Sequence, residues 1–190
     1  MTIYELLNPE KEYFKGKKAF IFDMDGTLIE SMKFWNHPSQ YGAHNYPSFQ
    51  DYIEDKYAKD VVPKKNSIEF LELLHKNRIP VCIASDTPFS TAKDFFKRYD
   101  LPSVIDFYIG SDEVGCYKAQ SPKIFLEAAK RLGFRPEECV VFEDRLPYCK
   151  DVKKLGFSVV GIYDIDCEHQ IDEMKQVCTD YVYDIGELMK

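Results

Sequence analysis

"KKAFIFDMDGTLIE", residues 17–30, decides how the chain is read. Four apolar residues, Ala19 to Phe22, form a run without alternation, the pattern of a strand covered on both faces. The run ends in two carboxylates, Asp23 and Asp25, with Gly26 directly behind them. Two acids so placed repel each other unless a cation or a proton joins them. In a parallel α/β sheet the carboxyl ends of the strands carry the ligand site, so the pair suggests a metal there. Gly26 lets the backbone turn sharply behind it.

Outward from this stretch the same rhythm repeats. "PVCIAS" (80–85), "FYIG" (107–110), "CVVFED" (139–144), "SVVGIY" (158–163) and "DYVYD" (180–184) read as further strands. Between them, "SIEFLELLHKNR" (67–78), "FSTAKDFFKRY" (89–99), "PKIFLEAAKRLG" (122–133) and "LPYCKDVKKLG" (146–156) carry apolar residues three and four apart and read as helices. Strand–helix alternation implies an α/β fold, a doubly wound parallel sheet. Residues 31–66 break the rhythm and are expected to form a small, helical cap insert, with 1–30 and 67–190 as the core. Within it, "SFQDYIEDKYAK" places Phe49, Tyr52, Ile53 and Tyr57 on one helical face. That face is expected to pack on the core, with Trp35 or Tyr46 nearer the entrance. His37 and His44 read as surface residues.

Composition bounds the function. The chain has 190 residues, 45% hydrophobic and 30% charged, ordinary for a globular protein. The net charge of −7 leaves no basic surplus for a nucleic-acid backbone, so no nucleic-acid partner is expected. No apolar run resembles a signal peptide or approaches the roughly 18 residues of a membrane span; a cytoplasmic protein without a membrane partner, a monomer or homodimer, is expected. The six cysteines lack any Cys-x-x-Cys pair and read as free, mostly buried thiols.

The other strand ends carry polar groups as well. Ser85 closes one strand and is followed by Asp86 and Thr87, which either cap the next helix or bind a ligand. Glu143 and Asp144 close another, and Lys118 precedes the 122–133 helix. Hard oxygen ligands suit Mg²⁺, which takes substrate phosphate as a further ligand. A hydroxyl and an ammonium suit the phosphate oxygens.

In these residues the sequence resembles the haloacid dehalogenase superfamily, and within it the β-phosphoglucomutase-like phosphatases. "DMDGT" (23–27), Ser85 in "VCIASDT", Lys118 in "YKAQSPKIF" and Glu143-Asp144 in "VVFEDRLPYCKDVKKLGF" match its four motifs in order. The resemblance implies a HAD-like core and a Mg²⁺-dependent phosphatase acting on a small phosphorylated metabolite. It implies Asp23 as the nucleophile that forms an aspartyl-phosphate and Asp25 as the acid–base. It also implies Mg²⁺ on the Asp23 carboxylate, the Asp25 carbonyl and Asp144, with Glu143 supporting that set, and Ser85 and Lys118 on the phosphoryl group. Departures are visible. The third motif lacks its usual proline, which leaves Lys123 as a rival to Lys118, and Arg145 and Tyr148 stand where Ser and Gly are usual. Arg145 is read either as a substrate contact or as a solvated or structural ion pair. The alternatives are a phosphosugar mutase, for which a 36-residue insert (31–66) is short, a dehalogenase, which has no need of Asp25, and a non-catalytic binding protein.

Overall fold

The computed structural model describes residues 2–190. Its chain runs α1 (Ile3–Leu6), β1 (Ala19–Phe22), α2 (Met32–Asn36), α3 (Phe49–Lys59), α4 (Ser67–Lys76), β2 (Val81–Ser85), α5 (Phe89–Arg98), β3 (Phe107–Gly110), α6 (Ser111–Val114), α7 (Lys123–Leu132), β4 (Cys139–Glu143), α8 (Leu146–Lys154), β5 (Ser158–Ile162), α9 (Ile171–Val177) and β6 (Asp180–Val182). The sheet order is β3-β2-β1-β4-β5-β6, with every neighbouring pair parallel. All six expected strands and the four expected helices are present.

The missing alternation in the strands now has its cause. Phe20 and Phe22 enter the core on one sheet face with Val140, Phe142 and Phe70. Ala19 and Ile21 enter the other with Cys139, Val141, Phe125 and Val152. Both faces of β1 are dry, so every residue from Ala19 to Phe22 is apolar. Phe22 lies opposite Phe142 in register, and their rings stack 4.3 Å apart at 15°.

From β1 the chain winds to β2 and β3 on one side, then crosses to β4 on the other. The switch point of the sheet thus falls between β1 and β4, where a parallel sheet opens a crevice at its carboxyl edge. Asp23 continues this ladder, its N–H donating to Phe142 O at 2.9 Å.

Residues 31–66 hold α2, a short 3₁₀ turn (Ala43–Asn45) and α3. Ser48 caps α3 by accepting from Asp51 N–H, and α3 packs on α2 and α5. Tyr52, Ile53 and Tyr57 are buried as the helical face predicts, but Phe49 is 45% exposed. At the first position of α3 it meets the Trp35 ring at a tilt of 56°, centroids 5.7 Å apart. Tyr46 turns away from the entrance: its hydroxyl donates to Asp55 at 2.7 Å. His37 and His44 are exposed. The six cysteines are free thiols, five of them buried. Among the described residues no helix is long and apolar enough to cross a membrane.

Candidate active site

Three loops converge at the switch point. The first follows β1. Gly26, at φ +84°, folds it back so that Gly26 N–H donates to Ile29 O at 3.1 Å. The second follows β2 and brings Ser85, Asp86 and Thr87. The third follows β4 and brings Glu143 and Asp144. Lys118 arrives from the α6–α7 loop, its own N–H tied to Asp86 Oδ1 at 2.9 Å.

Asp23, Glu143 and Asp144 each offer an oxygen within 4.8 Å of the others, and all three are buried. Lys118, 4% exposed, places its ammonium between two of them. It donates to Asp23 Oδ1 and to Glu143 Oε2 at 3.0 Å. Glu143 is fixed in turn by the Asp144 and Arg145 N–H groups, both 3.2 Å from Oε1. Asp144 accepts from Thr27 Oγ1 at 3.3 Å and from the Cys167 thiol at 3.6 Å.

One ammonium cannot balance three buried carboxylates. Burial, with the Glu143 charge next, pushes Asp23 up to about 8 even though Lys118 opposes the shift. Burial and the neighbouring carboxylates of Glu143 and Asp23 likewise hold Asp144 well above the carboxylate range. For Lys118, burial works against its charge, but Asp23 and Glu143 outweigh it and the pKa rises. This surplus of buried negative charge on hard oxygens fits a divalent cation such as Mg²⁺, which would be held by Asp23 and Asp144 and supply the missing positive charge.

Asp25 has partners of its own. Its carboxylate accepts from Ser31 Oγ at 2.6 Å, from the Tyr57 hydroxyl, from Thr87 Oγ1 at 2.7 Å and from Ser85 Oγ at 3.3 Å. The side chain is thus engaged by hydroxyls, which leaves its main-chain carbonyl as the group it could offer a metal. Of the two readings of Asp86 and Thr87, neither residue caps α5, whose N-cap is Pro88. Thr87 binds Asp25, and Asp86 anchors the Lys118 backbone. Thr27 belongs to the first motif and Thr87 follows Ser85, whereas Ser31 and Tyr57 join the site without a sequence signal, because hydroxyls of this kind occur throughout the chain.

A cavity of about 500 Å³ opens onto these groups, with Asp23, Asp25, Ser85 and Lys118 at its base and Trp35, Phe49, Tyr117, Arg145 and Tyr148 among its walls. Lys118 holds the buried position, and the rival Lys123 is exposed at the start of α7. Arg145 is exposed, its guanidinium 5.8 Å from the centre of the Tyr148 ring.

Comparison with known proteins agrees with this geometry. A family model described as haloacid dehalogenase-like hydrolase matches residues 49–147, a span that includes Ser85, Lys118, Glu143 and Asp144. The bifunctional riboflavin kinase/FMN phosphatase of Arabidopsis thaliana is 29% identical over 72% of this chain and 35% of its own length, so the chain spans about a third of that relative. The phosphorylated carbohydrates phosphatase of Thermotoga maritima is 28% identical over 74% of this chain and 82% of its own. Hexitol phosphatase A of Escherichia coli is 25% identical over 67% and 74%. Among solved structures, CbbY from Rhodobacter sphaeroides in complex with phosphate superposes with a TM-score of 0.76 at 16% identity, covering 90% of this chain and 96% of that one; at that identity the likeness is one of fold. With its four motifs gathered at the sheet's switch point and a family model matched across half its length, the chain belongs to the haloacid dehalogenase-like hydrolases.

Proposed function

We propose that this hydrolase is a Mg²⁺-dependent phosphatase that cleaves a small phosphate monoester through an aspartyl-phosphate on Asp23. The observation that carries the reading is the buried Lys118 ammonium bridging Asp23 and Glu143 at the base of an open cavity. An ammonium held at the nucleophile is placed to neutralise a transferring phosphoryl group. The phosphatase names of the curated relatives point the same way.

In this reading Asp23 attacks phosphorus, forming an Oδ–P bond as the ester P–O bond breaks. Asp25, protonated at that moment, gives its proton to the departing alkoxide. A water then attacks phosphorus and yields its proton to Asp25, the Asp23–P bond breaks, and inorganic phosphate leaves with both carboxyl groups restored. Ser85 and Lys118 bind the phosphoryl oxygens throughout. Mg²⁺, which Asp23 and Asp144 would hold, would supply further positive charge against the developing phosphoryl charge. The intracellular substrate pool of phosphorylated metabolites suits a cytoplasmic location.

The test uses Asp23→Asn, which removes the attacking oxygen with little change in volume. With Mg²⁺ and a panel of phosphate monoesters, the variant is expected to fold normally and release no phosphate above background. Appreciable turnover by folded Asp23→Asn would refute the covalent mechanism.

A further inference from the structure

Asp25 is the group at the site whose surroundings the reaction scheme leaves unexplained. Its two oxygens meet four hydroxyls drawn from three parts of the chain. Ser31 follows the first loop, Ser85 closes β2 and Thr87 lies in the loop after it. Tyr57 comes from α3, in the segment inserted between β1 and α4, and is fully buried. Its hydroxyl also accepts from Trp35 Nε1 at 3.1 Å. An indole N–H only donates, so this bond occupies a lone pair of the hydroxyl and leaves its one proton for Asp25. The Trp35 and Tyr57 rings meet edge to face, 6.4 Å apart at 77°, which fixes the direction from which the hydroxyl approaches. Trp35 lines the cavity and Tyr57 does not. A ligand can therefore touch the indole but not the phenol.

We infer that Tyr57 is a positioning residue for the reaction: its hydroxyl, oriented by Trp35, holds the Asp25 carboxyl at the leaving-group oxygen. The inference rests on the reading of Asp25 as the acid–base. It gives the inserted segment a part in the chemistry besides covering the site, because the rotamer of Asp25 is referenced to α3 and not to its own loop alone. A carboxyl misplaced by about 1 Å loses much of its proton-transfer advantage, and the loss falls on esters whose leaving group needs the proton.

The experiment compares Tyr57→Phe, which keeps the ring and removes the hydroxyl, with the parent enzyme on two esters. One is an alkyl phosphate, whose alkoxide must be protonated to leave. The other is p-nitrophenyl phosphate, whose phenolate leaves without a proton. Hydrogen bonds to charged groups are worth enough that kcat/KM for the alkyl ester is expected to fall about tenfold or more, while that for the p-nitrophenyl ester falls no more than about threefold. Trp35→Phe should shift the same ratio in the same direction, and it carries the test if Tyr57→Phe fails to fold. Equal losses on both esters, or none on either, would overturn the inference. Asp25→Asn is the reference. If it lowers kcat/KM, which reports the step up to aspartyl-phosphate formation, for both esters alike, the acid–base reading itself falls. If it shows the leaving-group dependence and neither Tyr57→Phe nor Trp35→Phe does, the positioning role alone is refuted.

Discussion

Replacing Gly26 by alanine tests how tightly the first loop is built against Asp144. Gly26 has φ +84°, a conformation that L residues adopt at a cost of about 1–2 kcal/mol. A Cβ there would lie 2.5 Å from Asp144 Oδ2, 2.8 Å from its Cγ and 3.0 Å from Met32 Cγ. Asp144 is 1% exposed and cannot swing into solvent. Displacing it breaks its bonds to Thr27 and Cys167, and leaving a buried polar group unsatisfied costs about 1–3 kcal/mol. The two contributions sum to about 2–5 kcal/mol. At about 2–4 °C per kcal/mol for a chain of this size, Tm should fall by about 4–20 °C. Because Asp144 is a proposed metal ligand, the Mg²⁺ titration midpoint should also rise about tenfold or more. Gly133→Ala is the control. It has nearly the same φ, +83°, but nothing within 4 Å of its Cβ, so it should show the conformational cost alone and leave Mg²⁺ binding unchanged. Differential scanning calorimetry and isothermal titration on both variants decide the matter. If Gly26→Ala behaves like Gly133→Ala in both, the close approach to Asp144 does not matter and the reasoning fails.

Lys118→Met removes the ammonium from between Asp23 and Glu143; breaking a buried ion pair from one side costs about 3–5 kcal/mol, and denaturant midpoints at pH 8 should show it, with a smaller loss at pH 6 where Asp23 takes up a proton. Metal-free protein should lose stability as pH rises. The Asp23 carboxyl is pushed up to about 8 from an ordinary 3.8, so between those values the folded chain holds a proton the unfolded chain has released. The stability it contributes below pH 4 is lost towards pH 8, and saturating Mg²⁺ should flatten the decline; urea midpoints in chelator that rise from pH 5 to pH 8 would contradict this. On hexose phosphates we expect free phosphate as the product, and efficient conversion of a sugar 1-phosphate to its 6-phosphate with little phosphate released would favour the mutase reading.

The fold was legible because its signal is local and repeated. Residues 19–22, 139–142 and 159–162 carry no polar side chain and show no alternation, as a sheet covered on both faces demands. The ends of β1, β2 and β4 were legible for the same reason, since the chemistry of Asp23, Ser85, Glu143 and Asp144 begins where the apolar run stops. Lys118 could be singled out by its place before a helix, but only the structure separates it from Lys123 in burial and in contact with Asp23. A five-residue difference in sequence becomes the difference between a buried and an exposed side chain only once α6 and Asp86 have set the path of the loop. The surroundings of Asp25 were not legible at all. Tyr57 reads as one more apolar position on the buried face of α3, which it also is. That its hydroxyl end reaches a carboxylate 32 residues away depends on how α3 lies on α5 and on the Trp35 indole beside it. Phe49, on the same predicted face, ends at the mouth of the cavity because α3 begins there. Periodicity tells which side of a helix is dry. Only the packing of helix on helix decides what each side chain on that side meets at its tip.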